Sequence, residues 1–339
     1  MRRALAMAGV AVALAVIPAG PASAHVGGGP EPSNYAAVIT SVSRVVPGLD
    51  VSLSADGERL RVTNDGAGEL LVPGYSDEPY LRIEADGVQR NTRSPATYLN
   101  VSLSGDTELP PEADPSAAPE WTSVSDTPTY EWHDHRTHWM GSQLPPAVQA
   151  DPTAEHLIAS WEVPLVYDGQ PMLVAGTLTW YPPPSSLPST VLGVGLIVVG
   201  LAVAGRARWQ RPLVVLLGLA VVAEAGHLAT SPVPAESPVY AVTAAALPTV
   251  VAALLTWASW RLVRAGTSTV VYLAGIAGWL VLLQGLSDVS VLWNSQVPSA
   301  GSDWLTRLAV TVSVGLGLGV VLGAGRLPLR GRARTPVTA

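Results

Sequence analysis

The chain contains no cysteine, no lysine and no phenylalanine in 339 residues. Without cysteine there are no disulfides, thiolate metal sites or cysteine nucleophiles, so a metal site must use nitrogen, oxygen or methionine sulfur. Charged residues are scarce, at 13%, against roughly 25% in ordinary globular chains. The missing lysine, beside abundant Ala, Val, Gly and Pro, suits a GC-rich bacterial genome. Histidine is rare as well, with six in the whole chain, yet His133, His135 and His138 crowd into "YEWHDHRTHWM".

The charge that exists is unevenly spread. Residues 25–187 hold 22 Asp/Glu against 7 Arg, whereas residues 188–339 hold 4 acids against 10 Arg. The first half reads as an acidic soluble domain and the second as membrane. The acidic external charge disfavours nucleic acid as a partner, because it repels phosphate.

Residues 1–24 have the pattern of an export signal. Arg2 and Arg3 precede an apolar stretch, and Ala22-Ser23-Ala24 matches a small-x-small cleavage site. Cleavage there makes His25 the mature N-terminus, offering an α-amine and an imidazole to a cation. Nitrogen donors of that kind suit Cu(II), the tightest binder of the divalent first-row series. The glycine-rich residues that follow read as a tether.

Five apolar runs, at about 189–205, 212–230, 239–260, 267–287 and 305–325, approach the 20 or so residues needed to cross a bilayer. Arg206, Arg208, Arg211, Arg261 and Arg264 fall in alternate loops, and Arg326, Arg330, Arg332 and Arg334 follow the last run. The intervening loops have no Arg. The positive-inside rule therefore predicts a cytoplasmic C-terminus, with residues 25–187 outside a bacterial plasma membrane. Within the runs, Glu224, His227, Gln284, Asp288 and Arg307 fall toward the outer side. Such residues are costly in lipid. They fit either a small polar site that accepts something from outside or a structural network in which Arg307 pairs with Asp288 or Glu224. Pro248 is expected to kink the third run.

Residues 35–181 read as short strands separated by turns. Asp56-Gly57, Asp86-Gly87 and Asp168-Gly169 each mark a hairpin between alternating segments. The regular spacing predicts an Ig-like β-sandwich, with residues 103–120 as an acidic, Pro-rich mobile loop. The overall expectation is a two-part α+β chain. Residues 25–181 form an extracellular sandwich, 182–188 a Pro-rich linker, 189–325 a five-helix transmembrane bundle and 326–339 a basic cytoplasmic tail.

If 131–139 is extended, His133 and His135 share one face while Asp134 and His138 take the other. A turn after Arg136 would return His138 to the first pair. Two imidazoles two residues apart can grip one ion. Asp134 or Glu131 can ligate, or orient an imidazole through its second nitrogen. Met140 is a possible soft ligand, and Trp132 and Trp139 would brace the site. Copper is the expected ion and zinc the second choice. Packing and pH sensing are the other readings of the same residues.

The stretch "SWEVPLVYDGQPMLVAGTLTW" resembles the closing strands of the CopC-type copper-binding domain, W-x-V-x-S-x-D-G-H-P followed by G-x-x-x-F. The order of export signal, N-terminal His, β-domain and membrane helices is similar to a CopC domain fused to a CopD-like part. The resemblance implies copper binding, with His25 as the N-terminal ligand. Gln170 stands where the family places a ligand His, "MLV" is inserted before Gly176, and CopD-like parts have more spans. One of His133, His135 or His138 would have to replace the missing ligand.

The resulting expectation is a membrane-anchored copper-binding protein, not an enzyme, serving copper resistance, storage or transfer. Its partners would be the bilayer, a metal ion and another copper-handling envelope protein. The alternative is a non-enzymatic envelope assembly or sensory protein with a His/Trp docking surface. No G-x-S-x-G elbow supports a hydrolase.

Overall fold

The computed structural model describes residues 31–102, 104–204, 210–233, 238–263 and 269–330. The expected signal segment, His25, Arg206, Arg208, Arg264 and the tail beyond Arg330 lie outside the described residues.

Among the described residues ten strands build the first half: β1 (Tyr35–Val42), β2 (Leu49–Leu53), β3 (Arg59–Asn64), β4 (Leu70–Pro73), β5 (Pro79–Glu84), β6 (Gly87–Asn91), β7 (Trp121–Ser125), β8 (Thr129–His133), β9 (His156–Tyr167) and β10 (Gln170–Trp180). They pair antiparallel in two sheets, one ordered β1-β10-β9-β4-β5-β6-β7 and one β2-β3-β8. The Asp-Gly pairs at 56, 86 and 168 each lie at a hairpin. Gly57, Gly87 and Gly169 all have positive φ, which an L side chain adopts only at a cost. Two one-turn helices, α1 (Ala96–Leu99) and α2 (Pro146–Ala150), interrupt the connections. Residues 104–120 contain neither helix nor strand.

Alternation along the strands sends one set of side chains inward. Leu60 and Val62 of β3 and Trp132 of β8 join Leu70, Leu81, Ile83, Val163, Leu165 and Val174 of the larger sheet in one buried cluster. A polar tie reinforces it. Asn64, at the end of β3, is buried and donates through Nδ2 to the Ile83 carbonyl of β5 at 2.9 Å and to that of Gly68 at 2.8 Å.

The ladder between β3 and β8 also determines where β8 stops. Its last pair is Arg59 with His133, and beyond Arg59 the partner chain turns through Asp56-Gly57. Residue 134 onward therefore has no strand to pair with. The expected extended run to 139 ends at His133.

Among the described residues five long helices follow: α3 (Leu187–Ala204), α4 (Gln210–Thr230), α5 (Pro238–Val263, with Pro248 inside), α6 (Thr269–Ser287) and α7 (Asp303–Arg330), with a 3-10 turn at Val289–Leu292. Among the described residues, four are long and apolar enough to cross a membrane; the apolar stretch of α3, Leu187–Val203, is shorter. Outward faces carry exposed Val198, Leu219, Val222, Leu254 and Trp257. These are apolar surfaces suited to lipid rather than water. α7 packs against α3, α4 and α6. Glycines allow the closest approach: a Cβ on Gly200 of α3 would lie 2.7 Å from the Gly319 Cα of α7, the small-residue packing that membrane helices use.

The two halves meet at a polar seam. Ser33 and Gln296 exchange backbone hydrogen bonds at 3.2 and 2.9 Å. Asn34 donates to Asn294 Oδ1 at 2.9 Å and accepts from the Ser295 N–H at 2.8 Å. The loop carrying these residues is gripped from below by Arg307 of α7, which donates to the carbonyls of Val291, Asn294 and Ser295.

Leu60, 1% exposed within that buried cluster, tests the shared core. Leu60→Ala is expected to destabilise the β-domain by about 2–5 kcal/mol, read by thermal or denaturant unfolding of the full chain in detergent. A cost under about 1 kcal/mol would mean that the sheets do not share a packed core.

Candidate metal centre

Where β8 runs out of partners, Asp134 makes a turn. Its carbonyl accepts from the Thr137 N–H at 3.1 Å and the Thr137 hydroxyl at 2.9 Å. Its Oδ1 accepts from the Arg136 N–H at 3.1 Å and from Nε at 2.8 Å, and Oδ2 accepts from Arg136 Nη2 at 2.7 Å and Trp132 Nε1 at 2.9 Å. Aspartate favours such local bonding to the backbone two residues on. The carboxylate is fully buried, and burial of a charge is tolerable because the guanidinium and indole satisfy both oxygens. Asp134 is thus committed to the turn. It differs from the expected role as a ligand or imidazole partner and is not in the histidine group.

The turn swings the chain back on itself. His133, His135 and His138 each offer a ring nitrogen, and these three atoms lie within 4.8 Å of one another. The ring centroids stand 5.1 Å apart for His133 and His135, 4.3 Å for His133 and His138, and 5.6 Å for His135 and His138. His138 joins the pair through the 134–137 turn. His135 is likewise off the strand, so the three converge by a bend and not by strand alternation.

Carbonyls can only accept, so each one identifies which nitrogen bears hydrogen. His135 Nε2 meets the Ser102 carbonyl at 2.9 Å, leaving Nδ1 as the lone-pair nitrogen. His138 Nδ1 meets the Trp139 carbonyl at 3.3 Å, leaving Nε2, which is buried and has no hydrogen-bond partner. Both nitrogens of His133 are buried and without a hydrogen-bond partner. Buried polar atoms without partners are uncommon and call for an occupant. A cation shared by the three lone pairs would satisfy His138 Nε2 and one nitrogen of His133, and the carbonyls behind His135 and His138 would fix the ring orientations.

Surrounding residues hold the rings in place. His135 donates its backbone N–H to Tyr75 Oη at 3.0 Å and stacks on that ring at 5.7 Å, while Arg136 lies 5.2 Å over its centroid. Tyr75 in turn donates to Asn100 Oδ1. Gly105, at φ +68°, lies against His135: a Cβ there would be 3.0 Å from its Cε1 and 3.2 Å from the Met140 methyl. Met140 is therefore a neighbour of His135. Tyr75 and Ser102 come from 60 and 33 residues away in sequence, so no local pattern marked them. The acidic loop judged only by its composition supplies Gly105.

Gln170, at the position of the resembled family's turn ligand, is exposed at the start of β10 and outside the histidine group. Of the membrane residues, Glu224, His227 and Asp288 are buried within electrostatic reach of one another, while Gln284 and Arg307 bond elsewhere. Glu224 accepts from Ser313 Oγ at 2.8 Å, and His227 Nε2 faces Asp288 Oδ2 at 3.0 Å. Gln284 bonds Thr249 and the Ala245 carbonyl. Arg307 reaches loop carbonyls and, at 3.6 Å, Asp303; it does not make the expected pairing with Asp288 or Glu224, because its guanidinium is occupied by the seam above.

Burial, reinforced by the neighbouring His138 and His135, pushes the His133 imidazolium down to about 3 from an ordinary 6.5. Burial also lowers His138. Between those two values for His133 the unfolded chain binds a proton that the native chain refuses. Its contribution to stability is fully present above about pH 6.5 and is lost as pH falls toward 3. In metal-free protein, His133→Gln is expected to flatten the loss of stability between pH 6 and 4 by about 1 kcal/mol per pH unit, measured by urea unfolding; an unchanged slope contradicts this. Asp134→Asn is expected to cost about 3 kcal/mol or more, since it leaves Arg136 mostly buried without its counter-charge. A variant as stable as the parent would show that the turn does not depend on that ion pair.

Compared with known proteins, the chain matches no family model, no curated protein and no solved structure.

Proposed function

We propose that the protein is a membrane-anchored, extracytoplasmic copper-binding protein serving copper resistance, storage or transfer, and that His133, His135 and His138 hold the ion. The observation that carries this reading is the convergence of three imidazoles, in which both His133 nitrogens and His138 Nε2 are buried without a protein partner. Imidazole nitrogens without thiolate or free carboxylate suit copper first and zinc second. His133, kept neutral by its surroundings, needs no proton removed before it ligates.

The finer architecture belongs to the same proposal. The two sheets form an Ig-like sandwich outside the bacterial plasma membrane. All five long helices cross it, and the arginine loops lie in the cytoplasm. Removal of residues 1–24 frees His25 as a further nitrogen donor. Ser33 and Tyr35 line the same cleft, of about 430 Å³, as His138 and Trp139. The six residue-to-residue steps from His25 to Glu31 can span up to roughly 20 Å when extended, which supports a reach to the histidine group.

Burial weighs against the docking-surface alternative. His133 is 7% exposed and Trp132 4%, so neither is presented to a partner.

The test is titration of Cu(II), and separately Zn(II), into the mature full-length chain in detergent, against a competing chelator. One ion per chain is expected, and His133→Ala with His135→Ala is expected to weaken binding at least tenfold. Unchanged affinity in the double variant would retire the proposal.

A further inference from the structure

The helical half holds buried polar groups that copper binding by the histidines does not use. α4, α6 and α7 are long and apolar enough to cross a membrane. Among them Glu224 and Ser313 are fully buried, and His227 and Asp288 are nearly so. Glu224 and His227 stand three residues apart on α4, hence on one face, where side chains at that spacing start roughly 5–6 Å apart. Asp288 directly follows α6. Ser313 of α7 donates to Glu224 Oε2 at 2.8 Å, and His227 Nε2 meets Asp288 Oδ2 at 3.0 Å. The order Ser313, Glu224, His227, Asp288 runs from the bundle toward the seam. At its end the Asp288 carbonyl accepts from the Val291 N–H at 3.1 Å, in the loop that Arg307 grips.

Two atoms between these hydrogen-bonded pairs are buried and lack a partner: Glu224 Oε1 and His227 Nδ1. A carboxylate only accepts, so against an ionised Asp288 the hydrogen of the imidazole is on Nε2 and Nδ1 carries a lone pair. An ionised Glu224 would add a second acceptor with no donor. Buried acceptors in that condition are unfavourable, and one proton on Glu224 turns an acceptor into a donor. Charge leads to the same state. Glu224 and Asp288 act on each other electrostatically, and two carboxylate charges among apolar helices are costly. The surrounding helices do not offset them. α3 carries no ionisable side chain. On α7, Arg307 is turned to loop carbonyls and lies 3.6 Å from Asp303. Arg211 is one end of α4 away, about 20 Å along the helix from Glu224. Arg261 of α5 is about 18 Å along its helix from Thr249, whose hydroxyl bonds Gln284. Tyr272 of α6 is exposed. Among the described residues, the histidine group alone brings three ligand atoms within 4.8 Å of one another, which favours a proton over a metal ion as the occupant here.

We propose that Glu224, His227 and Asp288 form a proton-relay site in the helical half, loaded by a proton carried on Glu224. The transfer balances. Glu224 Oε1 gives its proton to His227 Nδ1 while His227 Nε2 gives its own to Asp288 Oδ2. Glu224 is left ionised, the imidazole neutral and Asp288 protonated, with the net charge unchanged. Ser313 is a positioning residue: its hydroxyl holds the carboxyl through Oε2 and leaves Oε1 for the proton. The site shares no residue with the histidine group and stands apart from the metal proposal.

Infrared difference spectroscopy of the metal-free full chain in detergent, on transfer from H2O to D2O at pH 7, is the test. Burial and the neighbouring Asp56 push the Glu58 carboxyl of the β-domain up to about 7, so every chain in the series also carries Glu58→Gln. One protonated-carboxyl band is expected. It should vanish in Glu224→Gln, which still accepts from Ser313, and move to higher frequency in Ser313→Ala, where the carboxyl loses its hydrogen bond. Its deuterium exchange should slow at least tenfold in His227→Gln, which is polar but cannot take up a proton. Absence of the band, its persistence in Glu224→Gln, or an unchanged exchange rate in His227→Gln overturns the proposal. Should Glu224→Gln not fold, an unshifted band in Ser313→Ala overturns it equally.

Discussion

The ion pair of Asp134 with Arg136 is the constraint on which the candidate centre depends. It closes a turn at the point where β8 loses its partner, and the indole of Trp132 completes it from the core side. Without that turn the chain would continue outward from His133, and His138 would be carried away from it. The carboxylate is fully buried, so the turn is anchored into the domain rather than resting on its surface. A buried pair of this kind is costly to break, because either partner alone is left as an uncompensated charge.

The remaining structure acts on this bend by fixing its limits. The register of β3 with β8 makes His133 the last paired residue, and the Asp56-Gly57 turn of the neighbouring hairpin is the reason no pairing lies beyond it. From the other side, the loop through Ser102 and Gly105 closes over His135, and Tyr75 supports its ring. Three segments distant in sequence thus position rings that are adjacent in sequence. A site built this way excludes water, so the charged imidazolium of His133 would lose its hydration, which accounts for the lowered pKa of His133.

Much of the architecture was legible in the sequence, for identifiable physical reasons. Asp-Gly at 56, 86 and 168 marked hairpins because glycine tolerates the positive φ that such turns require. Long apolar runs marked the helices because lipid leaves few alternatives. The histidine group was legible as a cluster, but its geometry was not. Strand alternation predicted His133 with His135 on one face and Asp134 opposite, whereas the loss of a pairing partner, a property of β3, replaced the strand with a turn. The role of Arg307 was hidden for the same reason. Its partners are carbonyls of the loop above α7, and backbone acceptors leave no trace in side-chain pattern.

The central claim is that three imidazoles share one ion. X-ray absorption on the copper-loaded full chain tests it most directly. The account predicts a first shell containing three imidazole nitrogens at about 2.0 Å, with their outer-ring scattering lost in the His133→Ala, His135→Ala chain. A shell of oxygen scatterers without imidazole signature, unaltered by those substitutions, would contradict it.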